Sequence, residues 1–417
     1  MSLQANDKSI IMELAKSVAE IAAKPVQEEK RQLWRDLNGL KPQRPMVMLD
    51  QICWHELNYD GSLDLFCTDN ECRAYEQTLR RILYQWKHFP VDMVVEPFIT
   101  VPKAVNYSLY GLGVEENTLV SDPDNDVISH KYINVLDTDE DVEKIMIPEI
   151  THDTTETKRR IDFANELFDG ILEVRPVGDP GSHFIQIWDP LSCLMGPDNA
   201  AMALIDRPDF IHRIMKKMTA SFSSMLDQLE EQGLLCDTRS QTLVHCTGAY
   251  SDELPATGYD EKKPRCKDLW TAGLAQMFSM VSPAMHQEFE LDYVNPILAR
   301  FGLVYYGCCD PLDLKIDIVR KIPNLRKVSM SPWVKQERGA EGLGKDFVFS
   351  SKPNPANVAQ PEFQADVVTK ELTDINDVCK KHGCPLELIL KDISTVKYDP
   401  TRLTKWANIA MKVAMSG

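Results

Sequence analysis

Eight short apolar segments, most of them separated by helical patterns, constrain this chain more than any other feature. They cover residues 46–52, 93–97, 183–188, 242–246, 303–306, 327–330, 347–350 and 386–393. They are continuous rather than alternating, which implies strands buried on both faces, as in parallel sheets. Strand–helix alternation repeated eight times predicts an α/β fold, a closed (β/α)₈ TIM barrel. Between the strands, residues 208–235 carry Phe210, Ile214, Met218, Met225 and Leu229 on one helical stripe. Ser282-Pro283 opens a helix running to Arg300 with a bend at Pro296, and Asp310-Pro311 opens another that ends at Ile322-Pro323. Residues 7–39 read as two helices, so that 1–40 form an N-terminal helical extension packed on a barrel of 41–417. The longest gap, 98–182, reads as an insertion after the second strand, with acidic solvated loops at 122–126 and 137–143. Residues 249–267 read as a long loop above the barrel mouth.

Composition narrows the partners. A net charge of −17 argues against nucleic-acid backbones and anionic membranes, which need a basic face. No apolar run approaches a membrane span, and the residues after Met1 lack the layout of a signal peptide, so a cytoplasmic enzyme of small molecules is expected. Eleven cysteines without a framework fit a reducing compartment and leave thiols for packing, metal binding or nucleophilic work.

In a barrel, chemistry gathers where strands end. Leu303-Val304-Tyr305-Tyr306 runs straight into Gly307-Cys308-Cys309-Asp310, and other strands end on Cys53-Trp54-His55, Glu96, Trp188-Asp189, His245-Cys246, Lys352-Asn354 and Asp392-Ser394. Zinc takes about four Cys, His or carboxylate ligands. His245, Cys308 and Cys309 are the candidates, with Cys246 beside them and simple packed thiols as the bland alternative. Asp252 and Glu253, on the loop after 242–246, are candidate general acids or bases, or else turn residues; His55 is a further proton-transfer candidate. Substrate contacts are expected from Trp54, Glu96, Trp188, Tyr250, Tyr306, Asp310, Lys352 and Asn354. No glycine-rich phosphate loop and no Gly-x-Ser-x-Gly elbow is present.

Three stretches carry a likeness to a known family. They are Trp188-Asp189-Pro190-Leu191-Ser192-Cys193-Leu194-Met195-Gly196-Pro197 with Arg207-Pro208-Asp209-Phe210, then Ser282-Pro283-Ala284-Met285-His286-Gln287-Glu288-Phe289, then Lys352-Pro353-Asn354-Pro355. From about residue 45 onward the chain resembles the uroporphyrinogen decarboxylase superfamily, which implies a (β/α)₈ barrel with N-terminal helices. The decarboxylases of that family hold porphyrinogen carboxylates with arginines after the first strand. Here Leu49-Asp50-Gln51-Ile52-Cys53-Trp54-His55-Glu56 has none, which argues against that substrate. The other branch resembles methyltransferases that pass methyl groups between a corrinoid, carried by a partner protein, and a thiol held by zinc. Their His-x-Cys motif falls on Tyr306-Gly307-Cys308 and their later cysteine on Ser350 or Ser351, so only Cys308 is retained. The resemblance therefore implies corrinoid-linked methyl transfer or demethylation of a small molecule. The alternatives are porphyrinogen decarboxylation and a non-catalytic small-molecule-binding barrel.

Overall fold

The computed structural model describes residues 5–108, 110–120, 128–179 and 184–416. The acidic run at 122–126 and His183 lie outside them. Seven parallel strands form the main sheet: β1 Met46–Leu49, β2 Phe184–Ile185, β3 Trp270–Gly273, β4 Leu303–Tyr306, β5 Leu325–Met330, β6 Val348–Ser351 and β7 Leu386–Leu390. Every residue of β1, β3, β4, β6 and β7 is buried, as two-sided packing requires. The spatial order is β1-β7-β6-β5-β4-β3-β2: from β2 to β7 neighbours in sequence are neighbours in the sheet, and the first strand pairs with the last. That is the order of a TIM barrel. Among the described residues, however, no ladder joins β2 to β1, so the expected closed eight-stranded barrel is corrected to a barrel-like sheet with an open seam.

The seam is where the strand expected at 93–97 fails to form. Its backbone groups are taken by side chains instead of a ladder. Val95 N donates to Gln27 Oε1 at 2.9 Å, and Lys30 Nζ donates to the carbonyls of Val91 and Met93 at 2.7 and 3.2 Å. Asp92 still grips β1, with its N–H on Val47 O and its carboxylate accepting from Val47 N. The next strand, Phe98–Pro102, pairs with Glu173–Val177 in a small sheet of its own, so the long intervening segment follows the first sheet strand.

The second correction is larger. Residues 242–246 are not a sheet strand; the fourth place expected for them belongs to Trp270–Gly273, whose threonine and glycine hide it from an apolar-run search. Instead Leu243–Val244 and Thr247–Gly248 form a short antiparallel hairpin with His245 at its turn, φ 52°. Val244 and Ala249 pack with Trp270, Ala272, Leu303 and Tyr305, the inward residues of β3 and β4, so the hairpin fills the inside of the sheet. Its base is clamped at the end where the strands begin. The Gln241 amide bonds both Trp270 N and Trp270 O, and Asn38 Nδ2 donates to the carbonyls of Gly248 and Tyr250.

Two N-terminal helices, α1 Ala5–Ala22 and α2 Pro25–Asn38, place Trp34 under this floor. A Cβ on Gly248 would stand 2.5 Å from the Trp34 ring, which is why that position has no side chain. Among the outer helices, Pro208–Glu231 buries the expected Phe210, Ile214, Met218, Met225 and Leu229 stripe. The helix capped by Ser282 is interrupted by a π-helical turn at Gln287–Leu291 before Asp292–Leu298. The helix expected after Asp310-Pro311 shrinks to Ile316–Val319.

Candidate active site

Where β4 ends, the chain turns through Gly307, at φ 94°, and exposes two thiols to the ends of its neighbours. Cys308 Sγ lies 3.4 Å from Cys309 Sγ, and Cys309 Sγ lies 3.4 Å from Asp392 Oδ2. Lys391, the first residue past β7, aims its ammonium at three acceptors: Cys308 Sγ at 3.5 Å, Cys309 Sγ at 3.6 Å and Asp392 Oδ2 at 2.6 Å. The hairpin tip comes from the other side. The His245 ring meets Tyr305 edge-on at 5.0 Å, its Nδ1 is 3.1 Å from Cys246 Sγ, and its Nε2 is buried without a hydrogen bond.

Within this pair the electrostatics favour Cys308 as the anion. Hydrogen bonding from Cys309 pulls the Cys308 thiol well below its usual range, and nearby His245 and Lys391 act in the same direction against the cost of burial. Cys309 moves the opposite way and keeps its proton, as the donor of that pair. Against its own burial, the charge on Cys308 and the bond to Asp392 hold Lys391 protonated. Cys246 is pushed upward by burial and stays a neutral thiol.

A set of acids adjoins the thiolate, Asp310 and Glu290 buried and Asp189 half-buried. Burial, then the charge of Cys308, raises Asp189 to about 6. Asp310 is also raised to about 6, by burial, although its Oδ1 accepts from Cys308 N at 3.1 Å. Glu290 is fully enclosed, neither of its oxygens has a hydrogen-bond partner, and burial raises it well above a normal carboxyl. It sits in the π-helical turn, which rotates the helix face and carries an acid inward; such turns gather at functional sites.

The expected site residues divide into three groups. Cys308, Cys309 and His245 come together at the strand ends, with Asp310 beside them and Lys352 inside the sheet, bonded to Tyr305 OH at 2.7 Å and Ser350 Oγ at 2.6 Å. Burial lowers Lys352 to about 8. Tyr306 faces the outer layer, where its hydroxyl meets His286 Nε2 at 2.6 Å, and Trp188 is sealed in the core with its indole on Phe289 O. Asn354 caps a turn by accepting from Ala356 N. Trp54 and His55 lie on a 3-10 turn after β1, lining a separate cavity of about 360 Å³ with Arg80 and Arg81.

The third group lies at the opposite end. Asp252 is exposed and faces Arg35 at 3.6 Å, while Glu253 pairs with Arg326, next to the first residue of β5. The expectation that they face the mouth is corrected, because the hairpin turns the chain back and leaves 249–267 under the floor. Glu96 and Tyr250 share that floor, joined by a 2.6 Å hydrogen bond. Sequence reasoning gave no role to Lys391, Asp189 or Glu290. For Lys391 a signal existed, a Lys-Asp pair closing the apolar run Leu386-Glu387-Leu388-Ile389-Leu390. Glu290 had none, because only the π turn brings it inside.

Zinc does not fit this arrangement. Among the described residues no group of three or more His, Cys, Asp or Glu side chains is placed to hold a metal ion, and the Lys391 ammonium stands where a cation would face both sulfurs.

No protein-family model matches the sequence, and no curated protein matches it. Among solved structures the chain is similar to a methyltransferase from Methanosarcina mazei, with a TM-score of 0.52 and 11% identity over 92% of this chain and 97% of that one. The likeness shows a shared fold across nearly the whole of both chains.

Proposed function

We propose that this protein is a methyltransferase-type enzyme in which the Cys308 thiolate receives a methyl group at the strand ends of a barrel-like sheet. One observation carries the reading: two adjacent thiols within 3.6 Å of a buried lysine ammonium, at the position where such folds place their chemistry. The fold shared with the Methanosarcina mazei methyltransferase supports it.

In the transfer, a Cys308 sulfur lone pair attacks the methyl carbon in line. The S–C bond forms as the bond from methyl to its leaving group breaks, and the leaving group takes that electron pair. Where the leaving atom is nitrogen or oxygen it needs a proton, and Asp189, raised to about 6 beside Cys308, can hold one near neutral pH. When the sulfur loses its charge, Lys391 keeps Asp392 as partner at 2.6 Å, so no ammonium is left stranded. Cys308 itself is buried, and the methyl donor would reach it past Cys309, which is half-buried, and Asp392, which is 48% exposed. A corrinoid carried by a separate protein would supply the activated methyl group, or the strong nucleophile that removes it.

Incubation with methylcobalamin followed by peptide mass spectrometry tests this. One added methyl group on the Cys308 peptide, absent from Cys308→Ser, is expected. An unmodified Cys308 with methylcobalamin and with a methylated corrinoid protein alike would contradict the reading.

A further inference from the structure

Far from the thiols, the floor holds a second cavity of about 270 Å³ that the methyl-transfer reading does not use. Four arginines line it, Arg31, Arg35, Arg175 and Arg239, against one carboxylate, Glu96. In a chain of net charge −17 such a cluster runs against the average. Glu96 is already engaged: Arg31 bonds both of its oxygens, at 3.2 and 2.9 Å, and Tyr250 OH donates to it at 2.6 Å. The other arginines are held from outside by Glu28, Asp252, Glu173 and Glu261, which are 63%, 78%, 57% and 56% exposed; only Asp237, on Arg239, is more deeply set. Ion pairs with solvent-exposed carboxylates contribute little, so these guanidinium groups can exchange them for a ligand's anionic groups at little cost. Arg175 is fixed by stacking 3.8 Å over Phe98, and its Nε is a buried donor with no partner.

The cavity also touches the hairpin that carries His245. Gln241 and Thr242 on one arm, and Ala249 and Tyr250 on the other, are part of its wall. An occupant would bear on both arms where they leave the floor, and the tip of the same hairpin stands beside Cys308.

We propose that this cavity is a binding site for a small polyanion, a polycarboxylate or a phosphorylated metabolite, whose occupancy braces the hairpin and so sets the position of His245. Guanidinium groups match carboxylate and phosphate in geometry as well as charge, which names the ligand chemistry. The site does not depend on methyl transfer, and its test reads binding directly.

Titration calorimetry with inorganic pyrophosphate and, separately, tricarballylate distinguishes the two sources of negative charge. At least one is expected to bind the full chain, with affinity falling tenfold or more in Arg35→Gln and in Arg239→Gln. Both variants should keep the wild-type circular dichroism spectrum. Occupancy should also change the iodoacetamide labelling rate of Cys308 at least twofold. No heat with either anion at millimolar concentration would overturn the site, as would binding unchanged in both variants. Binding with an unchanged labelling rate would overturn the link to His245.

Discussion

The two ends of the sheet each bury a lysine against acid, and they differ in what the ammonium faces. At the floor, Lys327 is fully buried and bonds Glu387 Oε2 at 2.8 Å, Thr247 Oγ1 at 3.1 Å and Gly248 O at 3.3 Å, between the rings of Trp34 and Trp270. Every ammonium proton has an acceptor, and the network ties β5, β7, the hairpin and α2 together, although Glu387 Oε1 is buried without a partner. At the mouth, Lys391 faces a thiolate, and around it His245 Nε2, one oxygen of Asp310 and both of Glu290 have no partner. An ammonium with three oxygen acceptors ties the elements around it into one arrangement, whereas one aimed at two sulfurs is placed to stabilise a thiolate. The same residue type thus serves structure at one end and chemistry at the other.

Breaking the floor should produce the largest effect. Lys327→Met leaves Glu387 buried and unpaired, and removing one partner of a buried pair costs about 3–5 kcal/mol. Chemical denaturation should show that loss, and a loss below ~1 kcal/mol would remove the distinction between the ends. Next, Glu290→Gln should gain stability over wild type as pH rises. The folded carboxyl keeps its proton above the unfolded pKa, so the folded state binds more protons and wild-type stability falls with pH until the folded pKa is passed. The difference should grow by somewhat over ~1 kcal/mol per pH unit and vanish below the unfolded value of about 4.3. A difference independent of pH would mean that Glu290 is charged in the fold. The smallest effect belongs to Glu253→Gln: its exposed pair with Arg326 should be worth about 1 kcal/mol or less, with methyl uptake by Cys308 unchanged.

What the sequence showed and what it hid follow from the range of the interactions involved. β4 is legible as a short run whose apolar side chains serve both faces, and β5, β6 and β7 are legible from their apolar residues although Lys327, Ser350 and Glu387 are buried among them. The helix stripe from Phe210 to Leu229 was legible for the same local reason. The segment at 93–97 looked like a strand because its side chains are apolar, but its backbone partners are Gln27 and Lys30, more than sixty residues earlier. The hairpin was misread because Thr242-Leu243-Val244-His245-Cys246 resembles a strand end, and only the turn at His245 sends it back. That one reversal moved Asp252, Glu253 and Tyr250 from the mouth to the floor. Cys308 and Cys309 were found from their place after β4. The lysine that faces them lies 82 residues beyond Cys309 in sequence, so the pairing is visible only in the fold.

The most direct test of this account is site-resolved iodoacetamide labelling of all eleven cysteines as a function of pH, read by mass spectrometry. Cys308 should label at its full rate down to pH 6, where an ordinary thiol of pKa about 8.5 is almost wholly protonated. The others should be slower by at least tenfold at that pH, with Cys53, Cys67, Cys72, Cys236, Cys246 and Cys266 held back by burial. Lys391→Met should shift the Cys308 profile toward higher pH. A Cys308 that labels with the pH dependence of an ordinary thiol, unmoved by Lys391→Met, would contradict the central claim.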